Sequence, residues 1–179
     1  WNTGVGNVYI NVGDVDGCGG KATGDNGHSD GICAENDISI QTTGEVSAYG
    51  GTAAGHSSGI CSNNGSITIN ANVTANGKEG GSGSIAINVN DENDITIEGG
   101  KVYAIGENAR DISAGINAGN VVIKGGDLLA ASVNDDPPAE SQGINGNVSV
   151  VPAEGKMIAL ANRSAFETEG IGQNITIFD

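Results

Sequence analysis

Short runs in which apolar and polar residues alternate recur along the whole chain at intervals of 26 to 30 residues. Each run follows an Asn, Asp or Ser and has an apolar residue at every second position, the pattern of a strand with one buried face. Because one short strand cannot bury that face alone, so regular a period predicts a unit stacked on its neighbours. The seven copies begin at Val8, Ile38, Ile67, Ile95, Val121, Val148 and Ile175.

Each repeat has two further apolar clusters, a Gly-Ile step before the recurring strand and a Val-x-Ala step after it. Three short clusters with Gly or Asx residues between them suit the three sides of a coil. Helical solenoids need long amphipathic segments, which the chain lacks, and its 31 Gly disfavour helices. We therefore expect an all-β parallel β-helix of about seven coils, forming a single domain over residues 1–179. Analogy with other β-helices favours a right-handed coil.

When the copies are aligned, successive coils carry similar residues at the same position. The Asn, Asp or Ser before each strand tolerates a corner and can hydrogen-bond along a stack, so an Asx ladder is expected there. The alignment also sets Glu98 beside Lys124 and Lys101 beside Asp127, two pairs of opposite charge. The expected ladder consists of Asn7, Asp37, Ser66, Asp94, Asn120, Asn147 and Asn174.

The charge of the chain limits its partners. Asp and Glu number 22 against seven Lys and Arg, a net charge of −15 that repels nucleic acid and anionic membranes. No apolar run approaches the roughly 18 residues of a membrane span, so neither nucleic-acid binding nor membrane insertion is expected. This composition favours a secreted or cell-surface bacterial protein. The opening Trp1 is consistent with a mature form or a fragment of one.

Two of the three cysteines occupy the same coil position, because the string from His28 to Cys33 recurs from His56 to Cys61. Stacking would bring the two Cα atoms near the strand spacing, within the range of a disulfide. Three interpretations stay open: small residues filling a ladder, a disulfide, or a metal site that includes the two histidines. The small-residue ladder is favoured, because spacing of the zinc-finger kind is missing.

Acidic residues cluster where the repeat is interrupted by Gly-rich or Pro-containing loops. Carboxylates on flexible loops are the hard oxygen ligands that calcium requires, so calcium is the predicted cofactor. The alternative is surface charge in contact with solvent. The candidate ligands are Asp14, Asp16, Asp25, Asp30, Asp91, Glu92, Asp94, Asp135 and Asp136.

Catalytic patterns are sparse. A polysaccharide lyase of this fold would need a basic residue near calcium, yet Lys101 and Lys124 already face carboxylates in the predicted register. A glycoside hydrolase would need two facing carboxylates, whereas the outward strand positions carry mainly Ser, Thr and Val. No nucleophile elbow, phosphate loop or dinucleotide fingerprint occurs. We therefore expect a protein that is not an enzyme.

Two segments carry a family resemblance: GICSNNGSITINANVTANG at residues 59–77 and NDITIEGGKVYAIG at 93–106. They resemble the β-helical carbohydrate-binding domains of surface proteins from gut and cellulolytic Firmicutes. The resemblance covers roughly residues 4–150 and implies a fold like that of polysaccharide lyases, calcium bound along the coils, and binding of cellulose or pectic polymers. Residues 152–170 depart from it by losing the Gly-Gly step.

Sugar binding predicts aromatic faces and hydrogen-bonding groups on the outside of the coil. Alternation turns Tyr49 and Tyr103 outward on the third cluster, with Thr74 on the coil between them, so these three residues form the candidate platform. Two isolated surface tyrosines are the alternative. The favoured function is non-catalytic binding of a polysaccharide, with an acidic polymer bridged by calcium preferred to crystalline cellulose. A structural stalk or adhesin segment is the alternative, and lyase activity is less favoured.

Overall fold

The computed structural model describes residues 6–24, 26–133 and 140–151 in full, and the backbone of the strands at 155–161, 167–171 and 175–177. Within these residues the regular elements are all β-strands. They are β1 (Val8–Ile10), β2 (Val15–Cys18), β3 (Ser29–Ala34), β4 (Ile38–Ile40), β5 (Glu45–Tyr49), β6 (His56–Ser62), β7 (Ile67–Asn70), β8 (Asn72–Gly77), β9 (Gly83–Asn88), β10 (Asp94–Gly99), β11 (Lys101–Gly106), β12 (Ile112–Ile123), β13 (Gly126–Ser132), β14 (Glu140–Val150), β15 (Gly155–Ala161), β16 (Glu167–Ile171) and β17 (Ile175–Ile177).

The strands lie in three parallel stacks, and the chain winds through them as a β-solenoid of about five turns. The first stack contains β3, β6, β9, β16 and the opening parts of β12 and β14. The second contains β1, β4, β7, β10, β17 and the closing parts of β12 and β14. The third contains β2, β5, β8, β11, β13 and β15. The predicted all-β parallel architecture is thus confirmed, and the three stacks match the three apolar clusters of the repeat.

In the second stack, each recurring strand pairs with the next in the register that the spacing predicts. Val8 lies beside Ile38, Ile38 beside Ile67, and the series continues through Ile95, Val121 and Val148 to Ile175. The Ile side chains from Ile38 to Ile97 in this stack are almost fully buried. Burial of one such side chain stabilises the fold by about 1.5–3 kcal/mol, so this column forms a large part of the core.

The predicted Asx ladder is present from Asn7 to Asn147 along the corner that precedes the second stack, and Asn174, its last expected member, lies outside the described residues. The N–H of Asp37 donates to Asn7 Oδ1 at 3.1 Å, and that of Ser66 donates to Asp37 Oδ1 at 2.9 Å. Further along, Asn120 Nδ2 donates to Asp94 Oδ1 at 2.7 Å. The side chains therefore satisfy polar groups between coils at the place where the backbone turns.

Glycine in the Gly-Ile step allows the first and third stacks to approach each other closely. A Cβ atom added at Gly59 would lie 2.7 Å from the Ala48 carbonyl oxygen and 2.7 Å from the Asn76 nitrogen. Real Cβ atoms essentially never come so close to backbone, so a larger residue would push the stacks apart. The Gly-Ile step is thus a requirement of packing as well as of turning.

A column of buried serines lies in the first stack, two residues before the Gly-Ile step or, for Ser84, before its equivalent Ala86-Ile87. Its members pair in register from one coil to the next. Their hydroxyls reach the loops that leave the third stack: Ser57 accepts from Lys78 N at 2.9 Å and Ser84 accepts from Glu107 N at 2.7 Å. This serine column, which fastens each loop to the coil wall, consists of Ser29, Ser57, Ser84, Ser113 and Ser141.

Candidate functional site

A shallow groove of about 230 Å³ crosses the outer face of the third stack. Ser47, Thr74 and Tyr103 occupy one register column on β5, β8 and β11, so their side chains line its floor in a row. Its edge is lined by the residues two positions earlier on the same strands, Glu45, Asn72 and Lys101. The backbone N–H of Lys101 donates to Asn72 Oδ1 at 3.0 Å. The groove therefore offers hydroxyl, amide and charged groups beside one aromatic ring.

The two tyrosines of the predicted platform lie in different columns. Tyr103 pairs with Thr74, whereas Tyr49 pairs with Asn76, two residues further along β8. Tyr103 is 45% exposed and lines the groove, while Tyr49 is less exposed and lies outside its lining. The structure thus brings Tyr103 and Thr74 together and leaves Tyr49 at a distance along the strand.

Of the first acidic cluster, Asp14 has a structural role and Asp16 is exposed at the surface. Asp14 Oδ1 accepts a hydrogen bond from the N–H of Glu45 at 2.8 Å, so this carboxylate connects two successive coils. Asp16 is exposed on β2 and pairs in register with Ser47, which places it at one end of the groove. Asp14 and Asp16 are therefore the acidic candidates next to groove residues, Asp14 through its hydrogen bond to Glu45 and Asp16 through strand pairing with Ser47.

The acidic run before β10 forms a turn. The Asn90 Oδ1 atom accepts from the N–H of Glu92 at 3.2 Å and from Asn93 Nδ2 at 2.6 Å, which holds Asp91 and Glu92 outward. Both carboxylates are exposed, whereas Asp94 belongs to the Asx ladder. The other acidic candidates, Asp25, Asp135 and Asp136, lie outside the described residues.

A second polar ladder, which sequence reasoning missed, runs along the last position of the first stack. Asn117 Nδ2 donates to Asn88 Oδ1 at 2.9 Å, and Asn145 Nδ2 donates to Asn117 Oδ1 at 2.7 Å. Cys61 pairs in register with Asn88, and Cys33 pairs with Cys61, so the two cysteines continue this column. The residue directly after each Gly-Ile step was the signal in the sequence that could have shown the ladder.

Asp30 joins the two cysteines in a compact cluster. One carboxylate oxygen of Asp30 and the Sγ atoms of Cys33 and Cys61 all lie within 4.8 Å of one another. The two thiols are buried and unbonded, while Cys18 is exposed. In the part of the chain that the structure describes, no other group of three His, Cys, Asp or Glu side chains converges in this way.

The electrostatics of this cluster follow from burial and from contact between the two thiols. Burial raises the pKa of Asp30, and the side chains of Ser58 and His28 offset part of this effect. The pKa of Cys33 is lowered, because the Cys61 thiol can donate a hydrogen bond to its thiolate. The pKa of Cys61 is raised, because it supplies that hydrogen bond and is itself buried.

The two equivalent histidines stack on each other at the edge of the same region. The ring centroids of His28 and His56 are 5.3 Å apart, with an angle of 27° between the ring planes. Burial lowers the pKa of His56, and the positive charge of His28 adds to this shift. The rings therefore pack as a pair in which the half-buried member, His56, favours its neutral form.

Taken together, these features define a parallel β-solenoid with a polar surface groove and, separately, a buried cluster of two thiols and a carboxylate. Comparisons with models of protein families, with curated proteins and with solved structures give no match to this chain. The described residues include no helix of the length and apolar character that a membrane span requires.

Proposed function

We propose that this protein binds a polysaccharide without catalysing its cleavage, through the groove on the outer face of the third stack. The observation that supports this proposal is the position of Tyr103, whose exposed ring stands beside the Thr74 and Ser47 side chains in one column. Sugar rings stack on aromatic faces and hydrogen-bond to hydroxyl and amide groups at their edges. Tyr103 would carry the stacking, and Thr74, Asn72 and Lys101 would fix the orientation of the polymer.

The geometry of the third stack suits an extended polymer better than a single sugar. Its strands repeat at about 4.8 Å, so the groove presents similar groups at each step across the sheet. It is a partly open surface groove and lacks the enclosed shape of a site for a small ligand. A chain lying across β5, β8 and β11 would meet Ser47, Thr74 and Tyr103 in turn.

Calcium enters the proposal as the cation that brings an acidic polymer onto an acidic protein. The chain carries a net charge of −15, and the groove offers Lys101 as its cation, with Asn72 between it and Glu45. The exposed carboxylate of Asp16, at the end of the groove, could share a calcium ion with a carboxylate of the polymer. Further calcium at the exposed Asp91 and Glu92 would bind away from the groove.

The number of coils, their handedness and the cellular location of the protein also belong to what we propose. We infer seven right-handed coils, since seven strands pair in succession through the second stack and analogy with other β-helices favours that hand. A secreted or surface-attached bacterial protein suits this acidic solenoid. The alternative of a structural stalk draws support from the ladders, which extend along the axis and would stiffen a rod.

Affinity electrophoresis of the full chain tests the proposal, with neutral glucans and polyuronates in the gel and with calcium or a chelator in the buffer. Tyr103→Ala should weaken binding about three- to tenfold, the value of one aromatic stacking contact. Tyr9→Ala is the matched control, because Tyr9 is 64% exposed but lies on the second stack. Asp16→Asn should reduce only the calcium-dependent part of polyuronate binding.

Three results would decide against the proposal. Absence of binding to every polysaccharide at millimolar calcium would favour the stalk instead. Equal losses from Tyr103→Ala and Tyr9→Ala would remove the groove as the binding surface. A rise in ultraviolet absorbance from unsaturated uronates would show lyase activity and contradict the non-catalytic assignment.

A further inference from the structure

The cluster of Asp30, Cys33 and Cys61 differs from its equivalents in the coils that follow. In those coils the cysteine position is taken by Asn88, Asn117 and Asn145, whose amides bond to one another. A thiol is only a weak donor and acceptor, so cysteines do not reproduce this chain of amide hydrogen bonds. The change of chemistry within one column indicates a separate role for the two thiols.

The residue at the register position of Asp30 also differs from coil to coil. Successive coils carry Asp30, Ser58, Ile85, Ala114, Gln142 and Glu169 at this position, so a carboxylate stands beside the cysteines and none stands here in the three coils that carry Asn88, Asn117 and Asn145. The cysteines are buried, yet they lie outside the main apolar core of the solenoid. Two thiols and one carboxylate therefore meet in a sheltered place that apolar packing does not explain.

One polar atom of this cluster is left unsatisfied. The Asp30 Oδ1 atom is buried and has no hydrogen-bond partner among the described residues. Burying a carboxylate oxygen without a partner is costly, and a bound cation is one way to offset that cost. The same carboxylate has an oxygen within 4.8 Å of both cysteine sulfur atoms. The unsatisfied Oδ1 atom and the two nearby sulfur atoms together point to a missing positive charge.

We propose that Cys33, Cys61 and Asp30 bind a thiophilic divalent cation of the zinc class. Two sulfur ligands and one oxygen ligand suit zinc, whereas calcium takes six to eight oxygen ligands. In a tetrahedral site with metal–sulfur bonds of about 2.3 Å, the two sulfur atoms stand about 3.8 Å apart. That separation lies within the 4.8 Å that encloses the three ligand atoms, so small side-chain movements complete the site.

The surroundings supply access for the ion and a fourth ligand position. Asp30 lines an open depression of about 300 Å³ together with His28 and Lys21. We expect an ion to approach the cluster from this side, because Asp30 is the member of the cluster that lines the depression. Water takes the fourth position of the tetrahedron on the same side, which is the arrangement of zinc sites with three protein ligands.

A disulfide is a poorer solution for the same pair of cysteines. Directly paired residues on neighbouring parallel strands have Cβ atoms separated by about the strand spacing of 4.8 Å. Disulfides require about 3.5–4.5 Å between these atoms, so one of the two strands would have to move toward the other to form a Cys33–Cys61 disulfide. A metal ion bridges the wider gap without that shift.

Binding of one metal ion to the two thiols releases two protons. Each thiol exchanges its S–H bond for a sulfur–metal bond, and the two protons pass to the buffer, with no change of oxidation state. The buried carboxylate binds as the anion. Affinity should therefore fall as the pH is lowered, because protons compete with the metal for all three ligands.

The test uses the reduced full chain with Co²⁺ as a spectroscopic probe and Zn²⁺ as competitor. We expect one ion per chain, a thiolate-to-cobalt charge-transfer band in the near ultraviolet, and loss of that band when zinc is added. Cys33→Ser and Cys61→Ser should abolish the band, and Asp30→Asn should weaken binding about tenfold or more. Cys18→Ser is the matched control, since Cys18 is the exposed cysteine on the third stack, and it should leave the band unchanged.

X-ray absorption at the zinc edge provides a measurement on the unaltered chain, independent of whether the variants fold. Two sulfur neighbours at about 2.3 Å are expected. A zinc shell of oxygen and nitrogen only would overturn the proposal. So would a cobalt band that persists in the Cys33→Ser/Cys61→Ser double variant, or reduced, folded protein that binds no cobalt through thiolates.

Discussion

The Oγ atom of Ser57 accepts a hydrogen bond of 2.9 Å from the backbone N–H of Lys78, which lies 21 residues later in the chain. Ser57 is fully buried in the first stack, and Lys78 begins the loop that leaves β8. One hydroxyl thereby fixes the point where a loop departs from the coil. Equivalent hydroxyls at Ser29 and Ser84 accept from Gly51 N and Glu107 N.

Ser57→Ala should therefore destabilise the protein by about 1–3 kcal/mol, because the Lys78 N–H loses its acceptor. The free energy of unfolding, measured by urea titration with circular dichroism, checks this value. Ser39→Ala is the control, since Ser39 lies in the exposed row of the second stack beside Tyr9 and Thr68. Equal effects of the two substitutions would contradict the role of the buried hydroxyl.

Gly59→Ala should be more damaging than an ordinary change from glycine to alanine. The new Cβ would meet three backbone atoms within 2.8 Å, including the Ala48 oxygen and the Asn76 nitrogen, and backbone in a sheet has little freedom to move. Overpacking of this kind costs about 1–3 kcal/mol or more, and a clear fall in melting temperature is expected. Gly20→Ala is the matched control, because nothing lies within 4 Å of its Cβ position. Similar melting temperatures for both variants would show that the stacks are less closely packed.

Asn117→Ala should open the second polar ladder at its centre. Asn117 donates to Asn88 Oδ1 and to the Val89 carbonyl, and it accepts from Asn145, so three neighbouring groups lose a partner. We expect a loss of about 1–3 kcal/mol in the free energy of unfolding, together with faster amide exchange in β9 and β14. The exposed Asn11 provides the control, and Asn11→Ala should change neither quantity.

The ion pair between Glu98 and Lys124 should contribute little to stability, although its position was predicted correctly. Its nitrogen and oxygen atoms are 3.7 Å apart, and the two side chains are 38% and 53% exposed. Exposed pairs of this kind contribute less than about 1 kcal/mol, so a double-mutant cycle should give a small coupling energy that salt reduces further. Ile95→Ala in the adjoining core should lose about 2–5 kcal/mol and shows the scale of a large effect. A coupling energy that matched this loss would contradict the assignment of stability to the core.

The architecture could be predicted because its determinants lie close together in sequence and recur once per coil. Alternation within a strand and an Asx residue before it are local patterns, and stacking repeats each of them in register. The serine column was equally accessible, since Ser29, Ser57 and Ser113 each stand two residues before a Gly-Ile step. The sequence does not show its role, because that role depends on the loop N–H groups that the buried hydroxyls contact.

The candidate sites could be predicted only in part. Tyr49 and Tyr103 both face outward by alternation, yet Tyr49 follows the Ala of its Val-x-Ala step whereas Tyr103 precedes the Ala of its own, so they lie in different columns. Asp30 was expected on a calcium-binding loop, whereas β3 carries it into contact range of Cys33 and Cys61. Whether three side chains meet in this way depends on which residues are buried and on the register between strands. The sequence spacing of known calcium or zinc motifs contains neither kind of information.

The Asx and asparagine ladders join neighbouring described coils through side-chain hydrogen bonds, so the solenoid is an array of units connected to their nearest neighbours. In such an array cooperativity is passed from neighbour to neighbour, and position along the axis governs how far a defect spreads. A defect at a terminal coil leaves the remaining interfaces intact, so unfolding there amounts to fraying. A defect at the centre, for example around Asn117 or Ile95, divides the array into two shorter arrays that must each be stable alone. Substitutions of equal local cost should therefore differ in their effect on melting according to how many coils remain on each side.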